Sequence, residues 1–203
     1  MKKALLIAAV AAATSMPSLA NDNYVALELG KGQHTTSGLL ENTQIGEDLE
    51  EMGLFSIKGG HYFSKNVRAY GYLQGTASNE TTYVNVGLKT QLTSGEFGAG
   101  ADYLHYINDQ FYLLAGGNLG VYKSELELSA YGATHTMDNT GLAAGANLGL
   151  GYKFTERFSM ELGYRYTQYF GNEYKFPVVG ANIDADLNFD GYQVGYLNAS
   201  YSF

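Results

Sequence analysis

Six charged side chains share one geometric property: each falls on the more polar face of a segment whose residues alternate in character. They are Glu28, Lys58, Arg68, Asp102, Glu161 and Arg165, three acids and three bases. An unpaired charge in a narrow, water-poor interior costs several kcal/mol, so a balanced set points to mutual pairing. Two kinds of chemistry fit such a set, a salt-bridge plug that fills the interior or the charged constriction of a gated pore. Glu161 and Arg165 are four residues apart on one strand and so stand about 13 Å apart. Their partners are therefore expected on neighbouring strands.

Other chemistry has fewer candidates. Hydrolysis or acyl transfer needs a histidine, a carboxylate and often a serine. The histidines are His34, His61, His105 and His135, with Ser37 near the first and Asp138 near the last. No cysteine is present, which removes thiolate metal sites, thiol nucleophiles and disulfides. Two stretches are rich in acids, one with Glu41, Glu47, Asp48, Glu50 and Glu51, the other with Asp184, Asp186 and Asp190. They could hold a divalent cation or steer a basic partner, or simply be solvated. Neither has EF-hand spacing.

The elements that must position these groups begin after an export signal. Residues 1–20 carry Lys2 and Lys3, an apolar run from Ala4 to Ala13, and Ser18-Leu19-Ala20 as a small–x–small cleavage pattern. The run is too short for a spanning helix, and Pro17 interrupts the residues after it. Residues 21–203 then form one domain. Without Lys2 and Lys3 the formal charge moves from −8 to −10, which argues against a nucleic-acid partner. Twenty-six glycines disfavour helices, while 18 tyrosines and 10 phenylalanines favour strands.

Period-2 alternation repeats in segments of about ten residues. Between Phe158 and Phe170, the positions Phe158, Met160, Leu162, Tyr164 and Tyr166 oppose Ser159, Glu161, Gly163, Arg165 and Thr167. Residues 140–154, 111–121 and 196–203 behave alike. The polar face is dominated by Gly, Ser, Asn and Tyr rather than Lys and Glu. That composition suits a tight lumen, and the continuous apolar face suits lipid. Short connections (Ser64-Lys65-Asn66, Asn108-Asp109, Thr155-Glu156) alternate with long polar ones (33–52, 125–139, 171–188), the pattern of an up-and-down barrel. Strands are expected at 24–32, 54–63, 67–76, 96–106, 111–123, 140–154, 157–170 and 189–203. The alternating piece from Tyr83 to Leu92 would make nine. Eight restore the parity of short and long connections, with this piece extending a hairpin beyond the membrane.

The signal peptide, the eight alternating segments, a strand such as LGYRYTQYF and the closing YLNASYSF resemble the small outer-membrane β-barrels related to OmpA, OmpX and the opacity proteins. That resemblance implies an all-β antiparallel transmembrane barrel in a bacterial outer membrane, with short periplasmic turns, long extracellular loops and an internal salt-bridge network. It also implies that Leu197, Ala199, Tyr201 and Phe203 form the C-terminal signal read by the barrel-assembly machinery. The implied partners are outer-membrane lipid and lipopolysaccharide, with a host or surface ligand at the loops. The chain is expected to be a monomer without cofactor or metal. Enzymes exist on small barrels, but the deacylase-like His-x-Ser pattern is missing at His34 and His135, which are expected in outer loops. His61 and His105 fall near periplasmic strand ends. The leading expectation is a non-catalytic surface barrel serving envelope integrity and adhesion; a narrow pore and a lipid A-modifying enzyme are the alternatives.

Overall fold

The computed structural model describes residues 22–38, 49–78, 81–83, 88–130, 133–177 and 184–203. The expected signal peptide and the acidic residues Glu41, Glu47 and Asp48 lie outside them. Strands occupy nearly all of the described chain: β1 (Asn23–Ser37), β2 (Glu51–Ser64), β3 (Val67–Ser78), β4 (Thr81–Tyr83), β5 (Leu88–Tyr106), β6 (Phe111–Ala130), β7 (Ala133–Lys153), β8 (Phe158–Phe170), β9 (Glu173–Pro177) and β10 (Asp184–Ser202). Eight of these hydrogen-bond in the order β1-β2-β3-β5-β6-β7-β8-β10, and β10 returns to β1 to close an antiparallel barrel. Closure leaves no open sheet edge, the condition for crossing a bilayer with strands. The amide of Phe203 donates to the Asn23 carbonyl at 2.9 Å, so the last residue sits beside Tyr24 at the rim of the short turns.

Those turns are built by side chains that bind their own backbone. Asn108 Oδ1 accepts from the amides of Gln110 and Phe111 at 2.9 and 2.8 Å. Thr155 Oγ1 accepts from Arg157 and Phe158 at 3.2 and 2.9 Å. Ser64 Oγ accepts from Asn66 at 3.3 Å. Such Asx- and ST-turns reverse the chain in a few residues.

At the other end the structure corrects the expected loops. β1 continues to Ser37 and β2 begins at Glu51; β6 and β7 are separated by only residues 131–132; and Glu173–Pro177 pairs with Asp184–Asn188. The stretches 125–139 and 171–188 are thus largely strand. A 20-residue strand rising ~3.3 Å per residue at ~40° tilt climbs ~50 Å, twice the ~25 Å of a lipid-facing band. The outer half of the barrel therefore stands above the membrane as a collar. Of the piece from Tyr83 to Leu92, residues 84–87 lie outside the described residues and the rest belongs to the collar: Thr81–Tyr83 pairs with Leu88–Thr90, and the barrel keeps eight strands.

Register also explains why tyrosine and glycine are so abundant. Tyr24 lies opposite Gly60, Tyr70 opposite Gly100, Tyr72 opposite Gly98, Tyr112 opposite Gly151, Tyr122 opposite Gly141 and Tyr196 opposite Gly163. Each tyrosine points inward and lies over the bare backbone of its partner. A Cβ on Gly60 or Gly100 would stand 2.5 Å from the ring of Tyr24 or Tyr70, so only glycine admits the ring.

Candidate functional site

The buried charged groups of the described barrel converge in its lumen. All six residues assigned to it by alternation are buried there, and a seventh charge, Glu96, joins them. The even count of three acids and three bases becomes four and three. Glu96 opens the expected strand at 96–106 and has the same parity as Asp102, so the alternation carried its signal.

Two layers of polar contacts cross the interior. In the layer nearer the short turns, Arg68 Nη1 and Nη2 donate to Glu161 Oε1 and Oε2 at 2.7 and 2.9 Å, a bidentate fork, while its Nε donates to Asp102 Oδ2 at 2.9 Å. Glu161 also accepts from Tyr112 Oη at 2.7 Å and Asn198 Nδ2 at 2.8 Å. Asn147 Nδ2 donates to Asp102 Oδ1 at 3.1 Å. In the next layer Glu28 Oε2 accepts from Lys58 Nζ at 2.5 Å and from Arg165 Nη2 at 3.0 Å. Arg165 Nη1 donates to Gln74 Oε1 at 2.9 Å, and Gln74 Nε2 passes on to Tyr192 Oη at 2.6 Å. Tyr72 Oη donates to Glu96, which Gln74 Nε2 approaches at 3.4 Å.

A neighbouring strand gives Glu161 one partner, Asn198 on β10, but the ionic partner of Glu161 and the ionic and amide partners of Arg165 come from farther than the expected neighbours. Both sit on β8, and both reach β3, the strand on the opposite wall: Glu161 meets Arg68 there, and Arg165 meets Gln74. An eight-stranded interior is only wide enough for side chains, so one arginine spans it. Tyrosine rings complete the layers. Arg68 lies over Tyr24 and Arg165 over Tyr196, with 5.2 and 5.1 Å to the ring centroids. Charge-assisted, bidentate pairing of this kind offsets the desolvation of each ion. Chemically the arrangement is a dense network in which each of the seven charged groups has at least one hydrogen-bonded partner, while Glu28 Oε1, Arg165 Nε and Tyr24 Oη make no hydrogen bond among the described residues.

Over residues 5–203 the chain matches the family described as outer membrane protein beta-barrel domain. It belongs to that family. Solved barrels show the same fold at low sequence identity. Neisserial surface protein A is 14% identical, with a TM-score of 0.60 over 89% of this chain and 97% of that one. Ail, the attachment invasion locus protein of Yersinia pestis, is 16% identical, with a TM-score of 0.54 over 89% and 99%. OprG from Pseudomonas aeruginosa is 11% identical, with a TM-score of 0.54 over 90% and 96%. No curated protein matches the chain. As a member of this family the chain is a bacterial outer-membrane barrel, which makes the exposed belt of Leu27, Leu29, Phe97, Leu119, Leu148 and Leu162 its lipid contact.

The remaining candidates of this outer-membrane barrel do not meet. His34 is not in a loop: it points inward from β1, edge-on to Phe189 and Tyr192 at 5.6 and 6.4 Å between centroids. It lies above the lipid band, whose edge is marked by the exposed pair Lys31–Glu51 at 3.3 Å. Burial pushes its pKa down to about 4, and neither ring nitrogen makes a hydrogen bond among the described residues. Ser37 has the opposite strand parity. His135 is exposed on β7, and Asp138 pairs outward with Lys123 at 2.7 Å, which holds its carboxyl below the usual range. His61 Nδ1 shares a hydrogen bond with Asn23 Oδ1 at 3.0 Å near the short turns, and His105 is exposed there. Glu50 accepts from Thr36 Oγ1 at 3.0 Å. Among the described residues no three metal-ligating side chains cluster.

Proposed function

We propose that this barrel is a closed, non-catalytic surface protein that contributes to envelope integrity and makes its specific contacts, adhesion to a host or other surface among them, through the collar. The observation that carries this reading is the pair of contacts across the full width of the lumen, Arg68 to Glu161 and Arg165 to Gln74. Above them Met52, Leu54, Tyr122, Tyr169, Tyr192 and Val194 pack into one apolar layer, and Leu49, Leu92, Leu126, Leu187 and Phe189 into another. A lumen filled in this way is a strut. Specific work then belongs to the outer segments, because scaffolds are shared and variable surfaces carry function. The name of Ail, attachment invasion locus protein, agrees with that assignment.

The partners follow from the same reading. Lipid and lipopolysaccharide contact the outer wall of a monomer, and the barrel-assembly machinery recognises Leu197, Ala199, Tyr201 and Phe203 on the last strand. The decisive test is planar-bilayer recording of the refolded protein, with silence as the expected result. Steady conductance that disappears in Arg165→Ala would replace the strut with a narrow pore. Cell-binding assays with the β9–β10 hairpin trimmed should show reduced attachment; unchanged attachment would remove adhesion from the proposal.

A further inference from the structure

The basic residues of this chain are distributed in a way the strut does not explain. Beyond residue 20 there are ten, of which Lys89 is exposed on β5 in the collar. Lys58, Arg68 and Arg165 are neutralised inside the lumen, and Lys31, Lys123 and Lys175 pair with Glu51, Asp138 and Glu173 on the outer side. Lys65, Lys153 and Arg157 form no ion pair among the described residues, and all three line one cavity of about 160 Å³ at the mouth beside the short turns. Lys65 comes from the β2–β3 turn, Lys153 from the end of β7 and Arg157 from the β7–β8 turn.

The two lysines are held over a single ring. Lys65 Nζ lies 4.9 Å and Lys153 Nζ 4.3 Å from the centroid of Tyr106. The ring's negative face attracts each ammonium, but the two repel one another. Asp22 and Glu156 also line the cavity without closing on any of the three cations, leaving an excess of one positive charge. The chain as a whole carries −8, so this mouth runs against the sign of the molecule. Two ammoniums gathered around one aromatic ring, with Arg157 lining the same cavity, suit a compact multivalent anion.

We infer that the periplasmic mouth of the barrel binds a phosphate group between Lys65 and Lys153, with Arg157 as the third donor. The group comes either from free phosphate or from a phospholipid headgroup of the periplasmic leaflet. The cavity has room for a phosphate and a few waters, and the turns at its rim lie at headgroup level. The lumen network above it stays closed.

Binding is measured on the refolded chain in phosphatidylcholine nanodiscs, by titrating inorganic phosphate and following the Tyr106 ring and Lys153 resonances. A second arm replaces part of the phosphatidylcholine with phosphatidylglycerol in phosphate-free buffer. Saturable shifts in the first arm identify free phosphate as a source; shifts confined to the second identify the headgroup. Either response should weaken at least tenfold in the K65Q/K153Q double variant and several-fold in R157Q, whose site is an exposed turn. K123Q, at the opposite end, should leave it unchanged. No response in either arm, or one that survives K65Q/K153Q in a barrel with normal heat-modifiable mobility, overturns the inference.

Discussion

The lower and upper halves of this barrel are built from the same strands with opposite chemistry. β6 shows it in one run. Its outward positions read Phe111, Leu113, Ala115, Gly117, Leu119 and Val121, then Lys123, Glu125 and Glu127. Its inward positions read Tyr112, Leu114, Gly116, Asn118, Gly120, Tyr122 and Ser124, and end on Leu126, which is fully buried. Parity never breaks along the strand. What changes is the solvent: lipid surrounds the lower half, so apolar groups face out and charges pair within, while water surrounds the upper half and the usual arrangement returns. The collar is a small water-facing barrel stacked on a membrane one.

Substitutions that exchange the rules of the two halves should be the most damaging. Arg68→Ala leaves Glu161 and Asp102 buried without their cation, and should cost about 3–5 kcal/mol in urea unfolding from vesicles. A loss below 1 kcal/mol would mean that water reaches this layer. Next, Leu119→Arg places a charge in lipid and should cost about 2–4 kcal/mol, whereas Glu127→Arg, on the same face of the same strand, should stay within ~0.5 kcal/mol. Equal costs would erase the boundary between the halves.

The collar should respond to acid. The pKa of buried His34 is pushed down to about 4 in the folded state against ~6.5 when unfolded, so unfolding takes up a proton. The collar's contribution is fully present above pH ~6.5, falls as pH drops through the window to about 4, and amounts to at most ~3 kcal/mol. Hydrogen exchange at β10 from Phe189 to Tyr192 should report this locally, and His34→Leu should abolish it while the lower half stays unmoved. The smallest effect belongs to the outer surface: Asp138→Asn removes an exposed partner of Lys123 and should not measurably shift thermal unfolding.

The comparison also explains what could be seen in the sequence. Residue-by-residue alternation located eight strands, the inward face and the six lumen charges, because a lipid-facing wall repeats one simple pattern. The short turns were marked by Ser64, Asn108 and Thr155, whose side chains bind the local backbone. The upper strands were hidden for the reason that makes them interesting: at Lys123 and Glu125 the outward face turns polar, and a polar outward run was read as loop. His34 was misplaced by the same rule. The partner of Arg68 was beyond reach, because alternation assigns a face but not a position around the barrel. Glu161, 93 residues away, is brought opposite only by closure. Gln74, neutral and therefore unremarked, proved to join Arg165, Tyr192 and Glu96.

The tyrosine–glycine pairs have a consequence for alignment. Two of them, Tyr70 and Gly60 across β2–β3 and Tyr196 and Gly30 across β1–β10, face each other without the ring covering the glycine. The six whose ring covers the glycine lie between β1 and β2, β3 and β5, β6 and β7, and β8 and β10, every second seam of the barrel. These are the seams whose chain connection lies at the far outer end, remote from the bilayer. The intervening seams at β2–β3, β5–β6 and β7–β8 are joined by the short turns, whose geometry sets strand alignment at once. Where no nearby turn can do so, a ring and a bare backbone act as key and keyway. A slip of two residues would set Tyr112 against Gly149 or Lys153 instead of Gly151, and only the native offset seats several keys together. Gly151→Ala should therefore yield barrels that close slowly and in mixed alignment, even though the side chain it adds is a single methyl group.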